Sequence, residues 1–273
     1  MKSMSVFTLT IWGTVPYNKS NMKIVLEGQL VEYKDEGKGK VVVLLHGWGQ
    51  DHKSLDGLAA HLVKHFRVIR LDFPGFGGSP KPTSDWYIGE YARFIASFLK
   101  KLEVKNVYTL IGHSFGGRVI IKSIAEKLVD PQKVILMGAA GVKPRQNVKK
   151  AFYKIIAKTG KAVTALPGLR LMREGLRRKL YASAGSMDYY NAAEMRTIFQ
   201  HTIDEDLLPF VERITQPALL IWGISDTETP VAQAHAMMSK LKNGELFIVD
   251  NAGHFVFNDQ AEVVEKKIDE FLA

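Results

Sequence analysis

An α/β fold, doubly wound around a mostly parallel sheet of eight strands and carrying an inserted helical lid, is what this 273-residue chain predicts, on three observations. Short apolar runs rich in β-branched residues recur along the chain, as strands buried on both faces do. Segments with apolar residues every three or four positions separate them, and parallel strands need such helical crossovers. One long interval then contains no strand-like run at all. Hydrophobic residues make up 46% of the chain, enough for a sizeable core.

The elements follow in order. "MKIVLEGQLVEYKDEG" alternates apolar and polar residues on both sides of Gly28, which predicts two antiparallel strands at a sheet edge. "VVVLL", "RVIRLD", "VYTLI", "KVILMG", "ALLIWG" and "LFIVD" are the six buried runs. Between them, helical spacing places Leu55, Leu58, Ala59 and Leu62 on one face, and Tyr91, Ile95, Phe98 and Leu99 on another. Further helices are expected over residues 115–128 and 259–272. From 142 to 213 the pattern reads only as amphipathic helices, with Phe152, Ile155 and Ile156 on one stripe. About seventy residues exceed an ordinary loop, so 142–213 is read as a helical lid inserted into a core formed by 22–141 and 214–273. Residues 1–21 read as an N-terminal extension. They lack the uninterrupted apolar stretch and small-residue cleavage site of a signal peptide.

Composition narrows the chemistry. The absence of Cys excludes disulfides, thiolate nucleophiles and Cys-based zinc sites, and fits a cytoplasmic location. The net charge of +9 concentrates in residues 143–179, where Lys and Arg face the single acid Glu174. No nucleic-acid motif accompanies this block, so it is read as the solvated face of lid helices, with no nucleic-acid partner expected. No run of 18 apolar residues occurs, and no membrane insertion is expected.

"GHSFG", residues 112–116, stands between an apolar strand and an apolar helix, the setting in which G-x-S-x-G has mechanical meaning. A strand that turns into a helix over one residue strains that residue, and only glycines beside it escape a clash. The serine then stands at the positive end of the helix. A nucleotide-binding turn would need G-x-G-x-x-G or G-K-[ST], and neither is present. A serine nucleophile needs a base and an orienting acid. Of the eight histidines, His254 in "DNAGHFVFND" follows the last strand and precedes the final helix. His61, His65, His201 and His235 read as surface or packing residues, and His46 and His113 as supports of the adjoining turns. A metal cluster of His46, Asp51 and His52 has no supporting spacing. Asp226 lies just beyond the carboxyl end of "ALLIWG", with Glu228 the alternative acid two residues on.

The order Ser114, Asp226, His254, together with the elbow, the strandless interval, "LLHGWG" and "LDFPGFGGS", resembles the α/β-hydrolase superfamily over almost all of residues 22–273. The resemblance implies that Ser114 attacks an acyl carbon, that His254 accepts and returns the proton, and that Asp226 orients the imidazole. It also implies an oxyanion hole from the backbone N–H groups of Trp48, in the H-G-x-G match, and Phe115. No metal or organic cofactor is called for.

Relatives that dehalogenate haloalkanes or open epoxides carry aspartate where this chain has Ser114. Two serine reactions remain. One is hydrolysis of carboxylic esters with short to medium acyl chains. The other is carbon–carbon cleavage of meta-cleavage products, whose enzymes resemble this chain but commonly carry a tryptophan right after the histidine, where Phe255 stands here. The ester reading is preferred, with a small-molecule ester as partner. A non-catalytic receptor on the same fold would be expected to show a damaged triad.

Overall fold

The structure, a computed structural model, describes residues 21–143 and 193–273. Its eight strands are β1 (Met22–Leu26), β2 (Gln29–Glu36), β3 (Val41–Leu45), β4 (Arg67–Leu71), β5 (Val107–His113), β6 (Lys133–Met137), β7 (Ala218–Gly223) and β8 (Gly244–Val249). They form one sheet in the order β1-β2-β4-β3-β5-β6-β7-β8. The hairpin β1–β2 turns over Glu27 and Gly28, both at positive φ (51° and 80°), the two-residue geometry whose twist matches paired strands. β2 pairs antiparallel with β4, and every pairing from β4 to β8 is parallel.

Period-two alternation explains why the inner strands carry no polar face. In β3, Val41, Val43 and Leu45 enter one core cluster, while Val42 and Leu44 enter the other. In β7, Leu220 and Trp222 pack on one side and Leu219 and Ile221 on the opposite side. The helices α1 (Asp56–Leu62), α2 (Ile88–Lys101), α3 (Phe115–Ala125), α4 (Arg196–Asp204), α5 (Leu208–Val211), α6 (Val231–Met238), α7 (Val256–Asp259) and α8 (Ala261–Leu272) supply the covering layers. α1 and α8 cover one face, and α2, α3 and α6 the other. Burying large aliphatic and aromatic side chains contributes about 1.5–3 kcal/mol each, which makes these two layers the main source of cohesion.

The chain leaves β3 for β4 on one side and returns to β5 on the other. The order of strands reverses at β3, and the loops that open there lie at the carboxyl ends, where open parallel sheets gather ligands. β5, β7 and β8 all end on that edge.

Of the expected lid, only residues 142–143 and 193–213 fall within the described residues, and the latter are helical or irregular with no strand. Residues 144–192, which hold Phe152 and most of the basic block, lie outside them, as does nearly all of the extension 1–21. Where the chain re-enters, Leu207 donates its N–H to the Gly141 carbonyl at 2.8 Å, closing the two ends of the interval onto each other. The Arg118 guanidinium donates to the Glu205 carbonyl (3.0 Å), and Lys122 lies 2.7 Å from the Glu205 carboxylate, so α3 anchors the returning segment.

Candidate active site

From residue 107 to 121 every side chain is buried except Ser114. Ser114 joins β5 directly to α3 with φ 48° and ψ −107°, a conformation that costs an L-residue about 1–3 kcal/mol. Neighbouring backbone holds it there. Its N–H donates to the Met137 carbonyl (3.1 Å), and its own carbonyl accepts from Gly117 (3.0 Å), Ala140 (3.1 Å) and Arg118 (3.3 Å).

The flanking glycines are required by close approach. A Cβ on Gly116 would lie 2.2 Å from the Leu45 carbonyl oxygen, and one on Gly117 would lie 2.4 Å from the Ala139 side chain. At Gly112 it would come within 2.7 Å of the backbone of Gly116 and Gly117. The absence of side chains thus lets α3 lie against β3 and β6, which lifts the serine clear of the buried layers on either side.

Asp226 follows β7 and His254 follows β8, and the structure brings them together. His254 Nδ1 lies 2.9 Å from Asp226 Oδ2. Asp226 is buried, and its other oxygen accepts from the backbone N–H groups of Glu228 and Thr229, each at 2.9 Å. The Thr229 hydroxyl stands 2.8 Å from Oδ2 and 3.0 Å from the Gly138 carbonyl. Burial pushes the Asp226 pKa up, but the His254 hydrogen bond and charge and the Thr229 contacts outweigh it. The net result is a carboxyl held below its ordinary value. Such an acid stays ionised and fixes the imidazole with its proton on Nδ1.

Two buried histidines brace this edge. His113, at the end of β5, is 3.0 Å through Nε2 from the His254 carbonyl, and burial, reinforced by the neighbouring His254, lowers its pKa to about 3. It is therefore neutral, and Nε2–H donates to that carbonyl. His46, after β3, is lowered to about 4, chiefly by burial. Its Nδ1 donates to the Gly47 carbonyl (2.8 Å) and its Nε2 accepts from the Phe73 N–H (3.0 Å). Both are supports of turns, as the sequence suggests.

Aromatic rings gather at the turn after β3. The Trp48 ring packs edge-on against Phe115 (centroids 5.4 Å apart) and Phe76 (4.9 Å), and Phe199 of α4 lies against it at 4.9 Å. Trp48 and Phe115, which come from separate turns, are thus neighbours, and Phe115 directly follows Ser114.

Sequence reasoning missed three placements. Glu228 does not compete with Asp226 for Nδ1; its Oε2 lies 3.3 Å from His254 Nε2, on the other side of the ring. Thr229 buttresses Asp226, and its three-residue offset from the acid was the available signal. Asp72 organises the "LDFPGFGGS" turn: its Oδ1 accepts from the His52 N–H (2.7 Å) and lies 2.6 Å from His52 Nδ1, while Oδ2 accepts from the Gly78 N–H (2.8 Å). Among the described residues, Glu32, His52 and Asp72 each bring one potential ligand atom to within 4.8 Å of the others. The Asp72 oxygens are engaged by these hydrogen bonds, which gives the group a structural role in the turn. His61 bridges Glu265 and Asp269 of α8, and His201 stacks on Tyr87 at 3.9 Å. His235 is exposed on α6. An open cleft of about 570 Å³ lined by charged residues such as Glu90, Arg93, Lys122 and Asp204 lies elsewhere, and its lining includes none of Ser114, Asp226 and His254.

Comparison with known proteins agrees with the topology. A protein of Mycobacterium tuberculosis, the uncharacterized protein Rv2715, is 27% identical over 87% of this chain and 77% of its own length. The 2-hydroxy-6-oxo-6-(2'-aminophenyl)hexa-2,4-dienoic acid hydrolase of Metapseudomonas resinovorans is 24% identical over 86% of this chain and 84% of its own. The structure of a thermophilic esterase from Thermogutta terrifontis superposes with a TM-score of 0.70 at 21% identity, over 93% of this chain and 98% of that one. The family model for the alpha/beta hydrolase fold matches residues 40–261. That match begins just before β3 and ends beyond His254, spanning the whole edge on which the elbow, the acid and the histidine stand, and so the chain belongs to the alpha/beta hydrolase fold family.

Proposed function

We propose that this protein is a serine hydrolase that cleaves carboxylic esters of short to medium acyl chains through an acyl-enzyme. The observation that carries this reading is the strained, solvent-reaching Ser114 on an edge where a buried Asp226–His254 pair also stands. In the reaction, Ser114 Oγ attacks the acyl carbon as its proton passes to His254 Nε2. The imidazolium is stabilised through Nδ1 by the ionised Asp226. The tetrahedral oxyanion is met by the Phe115 N–H, at the positive end of α3, and by the Trp48 N–H. The adjacency of these two residues supports the assignment. Collapse expels the alcohol, which takes the proton from His254. Water then attacks the acyl-enzyme with His254 as base, releasing the acid and restoring the serine.

A second reading is carbon–carbon hydrolysis of a dienoate, which the name of the Metapseudomonas relative supports. Phe255, in the position after His254, favours the ester reading. Kinetics on p-nitrophenyl esters of graded acyl length, beside a meta-cleavage dienoate, test the choice. Turnover highest on acetate to hexanoate esters is expected, and Ser114→Ala should lose on the order of 10³-fold or more of it. Turnover of the dienoate alone would overturn the ester assignment.

A further inference from the structure

The residues after His46 lead the chain from β3 toward α1 through a tight turn. Gln50 donates its N–H to the Gly47 carbonyl at 3.3 Å, and Gly49 takes φ 71° in the third position, as a type II turn requires. Trp48 is thereby held in the second position. Its N–H shares one planar, trans peptide with the Gly47 carbonyl and points the opposite way, so whatever fixes that carbonyl also aims that N–H. Rotation about Gly47 sets the direction of this peptide, and glycine restrains its own rotation least of all residues. A side chain cannot take its place: a Cβ there would lie 2.8 Å from His113 Nδ1 and 3.2 Å from the Gln50 side-chain carbonyl.

The restraint comes from residue 50. Its side-chain oxygen accepts the Gly47 N–H at 3.2 Å while its own N–H holds the Gly47 carbonyl, so one residue grips both peptides that flank the glycine. The same carbonyl accepts from His46 Nδ1 at 2.8 Å. Just beyond, Asp51 caps the next helical turn by accepting from the Lys53 N–H at 2.9 Å, which anchors the chain on the far side of Gln50. We propose that Gln50 is a positioning residue whose grip on Gly47 aims the Trp48 N–H at the developing oxyanion. The inference rests on the reading of this protein as a serine hydrolase in which Trp48 supplies an oxyanion donor. The main-chain half of the grip survives most substitutions at residue 50. The side-chain half needs an oxygen at the reach of Gln or Glu.

Gln50 is half-buried beside an open cleft that Gly49 and Lys53 also line, so exchanging its side chain removes nothing from the two core clusters. Gln50→Met keeps the length of the side chain and removes the acceptor, whereas Gln50→Glu keeps an oxygen. The Gly47 amide, followed by hydrogen exchange in NMR, should exchange about tenfold faster in Gln50→Met and stay slow in Gln50→Glu. On p-nitrophenyl esters Gln50→Met should lose about tenfold in kcat with KM little changed, because an oxyanion donor acts in the transition state. Inhibition by a short-chain trifluoromethyl ketone, whose adduct with serine carries the oxyanion, should weaken by the same factor. A merely structural role would shrink the active fraction and leave that inhibition constant unmoved. Unaltered Gly47 exchange in Gln50→Met, full turnover in that variant, or an unmoved inhibition constant overturns the proposal while wild-type ester hydrolysis stands. A wild-type protein that hydrolyses no ester removes the hydrolase reading itself, so the assay on the wild type tells the two failures apart.

Discussion

At the scale of single residues, burial sets the protonation of the two inner histidines, while hydrogen bonding and charge outweigh it at the two inner carboxylates. His46 and His113 are held neutral inside the sheet edge, with pKa values lowered to about 4 and about 3 from the ordinary 6.5 or so. The unfolded chain therefore binds two protons that the folded chain refuses as pH falls from about 6.5. Stability from this source is complete above that value and is lost progressively below it, with a slope of about 1.4 kcal/mol per pH unit for each histidine. Asp72 and Asp226, whose folded pKa values lie below the ordinary carboxylate range, add stability that persists above about pH 4 and is lost as pH falls through their folded values. Urea midpoints should thus be level near neutrality and decline below about pH 6.5, with a shallower decline in His113→Gln. A level midpoint down to pH 4 would contradict the neutral assignment. Residue types announced Ser114, Asp226 and His254 as candidates, because each has a position relative to a strand that can be read from the chain. The second contact of His254 was not legible, since which ring nitrogen Glu228 faces depends on a loop path that no periodicity encodes.

Elements are legible in the sequence where their ends are marked. α2 runs over the expected 88–101 because its apolar stripe is continuous and Glu90 returns its carboxylate to the Tyr87 N–H (2.8 Å), a start signal. α3 stops at Ala125, short of the expected 128. Lys127 takes φ 58°, and the N–H groups of Lys127 and Leu128 close onto the carbonyls of Ile124 and Ser123. This is a Schellman ending built without glycine, and Leu128 still fits the helical stripe, so the stop is invisible in sequence. The final helix is broken at Gln260 (φ −137°), where the Asp259 carboxylate turns back to the Gly253 N–H at 2.7 Å. The glycines of the elbow make the sharpest prediction at this scale. Gly116→Ala places a methyl against backbone of β3, and should destabilise by about 1–3 kcal/mol and depress turnover. Gly57→Ala, at an exposed position of α1 with open space around it, should stabilise by about 0.5–1 kcal/mol and leave turnover unchanged. Denaturant midpoints and ester kinetics on the two variants check the contrast.

Over the whole molecule, the sheet collects groups from distant stretches of chain onto one edge. The serine follows β5, the acid β7 and the histidine β8, and the turn bearing Trp48 comes from β3. Doubly wound topology does this because all parallel strands deliver their following loops to the same side. That arrangement was legible from six buried runs and the segments between them. The strandless interval reads in the sequence as an insertion, and at its described returning end Phe199 rests on Trp48 and Met195 fills the space beside Gly75. How residues 144–192 would shape an acyl pocket was not legible, because helical periodicity gives a stripe and no partner for it. Among the described residues no helix is long and apolar enough to cross a membrane.

The proposed hydrolysis requires Ser114 to be an activated nucleophile, and covalent capture measures that most directly. After incubation with a fluorophosphonate, digestion and mass spectrometry should place one phosphonyl group on Ser114, with loss of ester turnover in proportion to labelling and slower labelling in Asp226→Asn. A folded protein that turns over esters at full rate with Ser114 unmodified by excess probe, or that carries the label on another residue, would contradict it.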